Sequence, residues 1–163
     1  MDLVEQLSLG EVSLRLGVAA VIGGVLGMNR DIHHKPAGLR THAMVALGSA
    51  LLALIGLHLE RPGGGGEQAL SRVIQGVVTG IGFLGGGAIL KDSKSVRGLT
   101  TAASIWIVAG LGLACGAGYW RVGLIALVFT LTVLVCGGTV EQFVDRLFNS
   151  YPDNTPPPDG STD

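Results

Sequence analysis

The chain has 163 residues, a mean hydropathy of +0.53, 27 glycines and only 14% charged residues. Soluble domains carry about 25% charged residues, so this composition excludes a soluble enzyme with a large core. The formal net charge of −1 looks neutral only because the charges are segregated along the chain. The composition therefore predicts an all-α polytopic membrane protein.

Apolar stretches long enough to cross a bilayer, which takes about 20 helical residues, occur five times. They lie near Val12–Met28, Thr41–Leu59, Val73–Leu90, Gly98–Gly116 and Tyr119–Thr139. The connections are short, so consecutive helices should be antiparallel neighbours. The fifth span, whose run VGLIALVFTLTVLVCGG carries no charged residue, should be peripheral. Residues 140–148 predict a short interfacial helix, which completes a transmembrane domain over 1–148, and residues 149–163 predict a disordered tail.

The basic residues orient these spans. One set of span ends carries Arg30, Lys35, Arg40, Lys91, Lys94, Arg97 and Arg146, and the other carries Arg15, Arg61, Arg72 and Arg121. The richer set marks the cytoplasmic side, which predicts an external N-terminus and a cytoplasmic C-terminus. No Lys or Arg precedes the first span, so it lacks the basic region of a cleavable signal peptide and is expected to stay.

The third span is the most glycine-rich and is predicted to be the packing hub. In a bilayer, small residues four apart let two helix backbones approach closely. Such pairs are Gly23 with Gly27, Gly76 with Gly80, and Gly82 with Gly86. They predict helix packing and self-association, with a dimer favoured. Gln75 and Thr79, one turn apart in the same span, are polar groups at membrane depth that need partners.

Several local patterns predict helix ends and side-chain roles. Ser8-x-x-Glu11 reads as a capping box, and Arg15, one turn after Glu11, as an interfacial anchor. Thr41 is predicted to cap the second span, and Thr100 and Thr101 the fourth. Cys115 and Cys136 are interpreted as two buried thiols, and His33-His34 is weak evidence for a metal site.

The chain also contains an internal match. Gly24–Gly27 resembles Gly82–Gly85 at an offset of 58 residues, and Gly38–Ala43 resembles Gly98–Ala103 at an offset of 60. This predicts a tandem repeat of two helical hairpins, although glycine-rich sequences also match by chance. If it is real, two helix N-termini converge with basic and hydroxyl side chains, which favours an anion or a lipid phosphate. The alternative is that the arginines only anchor the topology.

Four runs resemble the MgtC/SapB family of bacterial inner-membrane proteins. They are GMNRDIHHKPAGLRTHAMVALGSAL, SRVIQGVVTGIGFLGGGAIL, VRGLTTAASIW and GAGYW, in that order between Val18 and Arg121. The resemblance implies an inner (plasma) membrane protein, in a short form without the cytoplasmic domain that often follows. It also implies an association with growth at low magnesium and with virulence. For at least one member it implies restraint of the F-type ATP synthase.

The resemblance also implies site residues. The family's arginine after the first span falls on Arg30, its AGLRTH run on residues 37–42, its Arg and Gln before the glycine run on Arg72 and Gln75, and its RGLTTAAS run on residues 97–104. The candidate functional set is Asn29, Arg30, Arg40, Thr41, His42, Gln75, Thr79, Arg97, Thr100 and Thr101. Asn29 stands where the family commonly has glutamate. Because Mg²⁺ usually takes carboxylate ligands, this departure weakens direct Mg²⁺ binding, and neither a metal site nor a cofactor is predicted.

Three functions compete. The first is a regulator that modulates another membrane complex, such as an ATP synthase or an ion pump, in adaptation to low magnesium. The second is a small oligomeric transporter of ions or solutes, supported by the repeat, by Gln75 with Thr79, and by a helix break at Gly85-Gly86-Gly87. An enzyme is not expected, since the Gly-x-Gly-x-x-Gly at Gly80–Gly85 lies inside a span rather than after a strand. Nothing supports nucleic-acid binding.

Overall fold

The computed structural model describes residues 8–58, 66–91 and 95–148. Its helices are α1 (Leu9–Ile32), α2 (Leu39–His58), α3 (Gly66–Gly87), α4 (Leu99–Gly116) and α5 (Trp120–Phe148). A short antiparallel hairpin of β1 (Leu90–Lys91) and β2 (Val96–Arg97) connects α3 to α4. The five helices are long and apolar enough to cross a membrane, which confirms the predicted all-α membrane class.

The chain forms two compact units, Met1–Phe129 and Thr130–Asp163, and the boundary falls within α5. In the first unit, the α5 residues 120–129 bury only Gly123 and Leu127, as expected of a peripheral helix. In the second unit the helix runs on to Phe148. The separate interfacial helix predicted at 140–148 is therefore not a distinct element. The tail predicted at 149–163 lies outside the described residues.

Helix α1 is longer than its apolar run. It continues through Asn29, Arg30 and Asp31 and ends only at Ile32, followed by His34 with a φ of +51°. The predicted end of the first span was placed where hydropathy falls, at the first polar residue. The backbone instead stays helical until a left-handed residue turns it, because polar side chains do not by themselves end a helix.

Helix α2 is the packing centre of the first unit. It packs against α1, α3 and α4, and its alanines Ala46, Ala50 and Ala53 are fully buried. From α1, a Cβ added at Gly23 would lie 2.8 Å from Ala46 Cβ, and one at Gly27 would lie 2.6 Å from Leu39 Cα. The predicted Gly23/Gly27 pair therefore packs helix on helix.

A second glycine pair packs α4 against α2. A Cβ added at Gly112 of α4 would lie 2.8 Å from Ala46 Cα, and one at Gly116 would lie 2.8 Å from Ala50 Cα. Gly112-x-x-x-Gly116 is as clear a small-residue pair as the others, yet sequence analysis did not single it out. Two glycine pairs thus bring α1 and α4 against the alanine stripe of α2.

The glycine-rich α3 is not the hub that its sequence predicted. A Cβ added at Gly76, Gly80, Gly82 or Gly86 would meet nothing within 4 Å, and only Gly85 approaches α4, at 3.7 Å from Ala102 Cβ. The contacts of α3 come instead from larger side chains. Val77 and Ile81 join Ile105 and Ala109 in one apolar cluster, and Val73 lies against Gly56 of α2. Glycine permits close approach but supplies no side-chain surface of its own. The helix runs unbroken through Gly85 and Gly86 and ends at Gly87, so the break predicted at these three glycines is the end of the helix and not an interruption within it.

At the end of the bundle where α1 begins, α1 and α4 are joined through Arg15. Ser8 Oγ accepts from the backbone N–H of Glu11 at 3.2 Å, which confirms the predicted cap. The Glu11 carboxylate pairs with Arg15, whose Nη1 also donates to the Gly116 carbonyl at 3.0 Å. A cation at the carboxyl end of α4 interacts favourably with the helix dipole. Arg15 is therefore a helix-to-helix tie as well as an anchor.

The two cysteines are free thiols with different surroundings. Cys115 of the first unit is fully buried, as predicted. Cys136 of the second unit is exposed, so the prediction of a buried thiol is wrong there.

Candidate functional site: a polar cluster at the basic end

We call one end of the first unit the basic end. It consists of the last turn of α1, the loop 33–38, the first turn of α2, the hairpin β1–β2 and the first turn of α4. His34 and Ala37 both adopt positive φ in the loop, at +51° and +59°. These left-handed positions turn the chain sharply and place the start of α2 beside the end of α1.

Asp31 fixes the start of α2. Its Oδ2 accepts from the backbone N–H of Leu39 at 2.9 Å. A Cβ at residue 38 would overlap this carboxylate, so the cap depends on Gly38. A carboxylate at a helix N-terminus satisfies a free N–H and complements the helix dipole. Thr41, predicted as the cap, is instead an exposed residue inside the helix.

Arg30 connects the end of α1 to the start of α4. The residue is 5% exposed, and its Nη2 donates to Thr101 Oγ1 at 2.7 Å. Thr101, predicted to cap α4, is itself buried and serves as the acceptor for this arginine. The N-cap of α4 is Gly98, with a φ of +91° and no side-chain hydrogen bond. The threonine caps predicted for α4 are therefore wrong.

His42 connects α2 to α4. It is fully buried, with Nδ1 3.1 Å from the Gly38 carbonyl oxygen and Nε2 3.1 Å from Ser104 Oγ. The Ser104 hydroxyl also donates to the Thr101 carbonyl oxygen, at 2.8 Å. Because the Gly38 carbonyl oxygen can only accept, the imidazole is the donor in that contact, through Nδ1.

The structure thus brings together Arg30, His42 and Thr101 from the predicted set and adds Ser104. Ser104 ends the RGLTTAAS run but was left out of the candidate functional set, although its spacing of three residues from Thr101 places both on one face of α4. The cluster ties α1, α2 and α4 at one end. Buried polar groups that hydrogen-bond across helices in this way favour one helix arrangement, and Arg30 Nε is left without an acceptor among the described residues.

The other predicted residues lie apart from this cluster. Asn29 is half-buried, and its backbone carbonyl lies 2.7 Å from His33 Nδ1. Arg40 and Thr41 are exposed and line a small groove of about 310 Å³ beside Asp31. Exposed residues also include Arg97 and Thr100 near the cluster, and Gln75 and Thr79 on α3. Among the described residues, no group of three or more His, Cys, Asp or Glu side chains could hold a metal ion.

Five membrane-length helices, three of them tied by a buried polar cluster, define a multi-pass membrane protein. The chain belongs to the MgtC family, whose profile matches residues 16–143. This confirms the resemblance found in the sequence.

Individual relatives agree. Protein SrpB of Synechococcus elongatus is 46% identical over 132 residues, covering 76% of this chain and 72% of SrpB. "Putative magnesium transporter YhiD" of Escherichia coli is 40% identical over 146 residues, covering 85% of this chain and 65% of YhiD. Protein MgtC of Brucella abortus is 40% identical over 118 residues, covering 72% of this chain but 48% of that relative. No solved structure matches the chain.

Proposed function

We propose that this chain is a regulator in the bacterial inner membrane that acts in adaptation to low magnesium by binding another membrane complex, rather than by catalysis. Family membership and the relatives named MgtC and YhiD support the link to magnesium. The observation that carries the mode of action is an open groove between α2 and α3, within two membrane-spanning segments.

The groove has a volume of about 410 Å³ and an apolar lining. Met44, Gly48 and Leu52 line it from α2, and Gly76, Gly80 and Leu84 from α3. A Cβ at Gly48, Gly76 or Gly80 would meet nothing within 4 Å, so the groove is lined by backbone that no other part of the described chain covers. Small residues at a helix surface allow another membrane helix to pack closely. The proposed occupant is therefore an apolar transmembrane helix of the partner complex.

Filling the groove should abolish this function without unfolding the protein. Because Gly80 has free space around it, Gly80→Leu should fold normally yet fail to restore growth of a deletion strain at limiting Mg²⁺. A photoreactive benzophenone side chain at exposed position 44 should cross-link a membrane protein in the otherwise wild-type chain, and Gly80→Leu should lose that adduct. Gly110→Leu is the matched control, since Gly110 is exposed on α4 with nothing within 4 Å.

Normal growth of the folded Gly80→Leu variant would contradict the proposal. An adduct with the mass of two copies of the chain would assign the groove to self-association instead. Transport of a solute by the purified protein would replace the regulatory function with the alternative below.

Transport is the second candidate, favoured by Gln75 and Thr79. Both are exposed one turn apart on α3, inside a candidate span, and polar groups at membrane depth often mark a pathway. Proteoliposome flux of Mg²⁺, other cations and phosphate tests it. Flux that disappears in Gln75→Leu would support a transporter, whereas unchanged growth and flux in that variant would exclude a pathway through Gln75.

We also propose that the chain forms a homodimer along the exposed face of α3. Gln75, Thr79, Gly82 and Gly86 are all exposed, at spacings of four, three and four residues. That spacing is the seam of a parallel helix pair, and a glutamine amide both donates and accepts, so it can pair with its own copy. This face turns away from the groove, so a dimer leaves the groove open.

A further inference from the structure

The N-terminus of α4 carries an unusual concentration of positive charge. Its first turn follows Gly98, with no side-chain cap, so free N–H groups give this end a partial positive charge. The guanidinium of Arg30 carries a full positive charge and is hydrogen-bonded to Thr101, the third residue of the helix. The arginine is 5% exposed and its buried Nε has no acceptor.

The two other charged contacts at helix ends have the opposite, favourable sign. Asp31 places a carboxylate at the N-terminus of α2, and Arg15 places a cation at the carboxyl end of α4. Arg30 belongs to the last turn of α1, whose dipole favours a cation, but its guanidinium also bonds Thr101 at the N-terminus of α4, whose dipole opposes it. Among the described residues the ion pair is that of Arg15 with Glu11, so none of them supplies Arg30 with a carboxylate. A buried charge that is not compensated is costly, and an anion at this position would remove that cost.

We propose that a phosphate-type oxyanion binds at the N-terminus of α4, held by the Arg30 guanidinium, the first-turn N–H groups and the exposed side chains of Arg97 and Thr100. Arginine donors suit tetrahedral oxyanions because they form charge-assisted hydrogen bonds, and a helix N-terminus adds backbone donors. Arg97 directly precedes the Gly98 cap, and Thr100 is the second residue of the helix. The phosphate belongs either to a lipid headgroup or to free inorganic phosphate.

The N-terminus of α2 is not a second half of this site. Sequence analysis expected both helix starts to converge on one anion. Asp31 already occupies the start of α2 through its bond to Leu39, and its negative charge would repel an anion. Arg40 and Thr41 line the groove beside that carboxylate, so they are left out of the proposed site.

Titration calorimetry of the full chain in phosphate-free detergent tests the site. The ligands are inorganic phosphate, dioctanoyl phosphatidic acid and, as the uncharged control, dioctanoylglycerol. Arg97→Gln should weaken binding about tenfold or more, because a charge-assisted hydrogen bond contributes at least that factor. Arg72→Gln, an equal change of charge at an exposed arginine of α3, should bind as the wild type does.

Each outcome decides the proposal. Binding of inorganic phosphate that depends on Arg97 identifies a free-phosphate site, and binding of phosphatidic acid alone with the same dependence identifies a lipid headgroup site. No binding of either, or equal weakening by Arg72→Gln, overturns the proposal. Binding that emerges only in Asp92→Asn also overturns it, because Asp92, outside the described residues, would then be the internal counter-charge of Arg30.

Discussion

At the scale of single residues, Thr101 shows how a polar side chain acquires its role from a distant partner. It lies 71 positions after Arg30, yet its hydroxyl is the acceptor for the buried guanidinium. Its neighbour Thr100 is exposed. The two adjacent threonines form a matched pair for testing the cluster.

Thr101→Val should lower the free energy of unfolding by about 1–3 kcal/mol, because a buried charged donor loses its acceptor while side-chain volume is kept. Thr100→Val should change it by less than about 0.5 kcal/mol, as is usual for exposed positions. A thiol-reactive fluorescent dye can follow thermal unfolding through buried Cys115, in a Cys136→Ser background that removes the exposed thiol. Equal effects of the two substitutions would mean that the Arg30–Thr101 bond contributes no stability.

Sequence reasoning reached the residues of the cluster but not their roles. The matching runs Gly38–Ala43 and Gly98–Ala103 indicated helix starts, and α2 and α4 do begin at Leu39 and Leu99. The caps were wrong because hydroxyl preference at a helix start cannot reveal Asp31, eight residues before Leu39. The role of Thr101 depends on how α1 packs on α4, which a local pattern does not contain.

At the scale of helices, glycine count proved a poor guide to packing. Helix α3 is the most glycine-rich, yet α2 is the packing centre and contributes three buried alanines and one buried glycine, Gly56. A small-residue pair can face a neighbouring helix, a partner or lipid, and the sequence pattern is the same in each case. The internal repeat stays a prediction. In agreement with it, Gly27 approaches the first turn of α2, and Gly85 approaches the first turn of α4.

Gly112→Ala should destabilise the protein by about 1–3 kcal/mol, the usual cost of overpacking, because the added methyl group would meet the backbone of Ala46. Gly110→Ala on the same helix should be neutral or stabilising by up to about 1 kcal/mol, since it gains helix propensity and meets nothing within 4 Å. Thermal unfolding of the two variants in the same detergent measures the difference. Similar melting temperatures would show that α2 and α4 can separate without loss.

At the scale of the whole molecule, number and class of the spans followed from composition and hydropathy alone. Both are bulk properties of about 20-residue segments, so errors at single positions do not affect them. Orientation in the membrane is a different property. The excess of arginine and lysine at the basic end is the reason to propose that this end faces the cytoplasm.

Labelling of single cysteines tests that orientation. In the Cys136→Ser background, a membrane-impermeant maleimide should label Tyr119→Cys in intact spheroplasts, since Tyr119 is exposed beyond the end of α4. Lys35→Cys, exposed in the loop of the basic end, should react only after permeabilisation. The reverse pattern would place the N-terminus in the cytoplasm.

The two arginine ties between α1 and α4 also set an order of assembly. Helix α1 leaves the ribosome before α4, because Gly116 and Thr101, the partners of Arg15 and Arg30, are synthesised about 70 to 100 residues later. Until α4 is inserted, Arg30 lacks its Thr101 acceptor, whereas Arg15 keeps Glu11 of its own helix as a partner. A nascent chain that stops before α4 therefore presents a guanidinium without its hydroxyl acceptor at the end of α1, which separates an incomplete copy from a finished one.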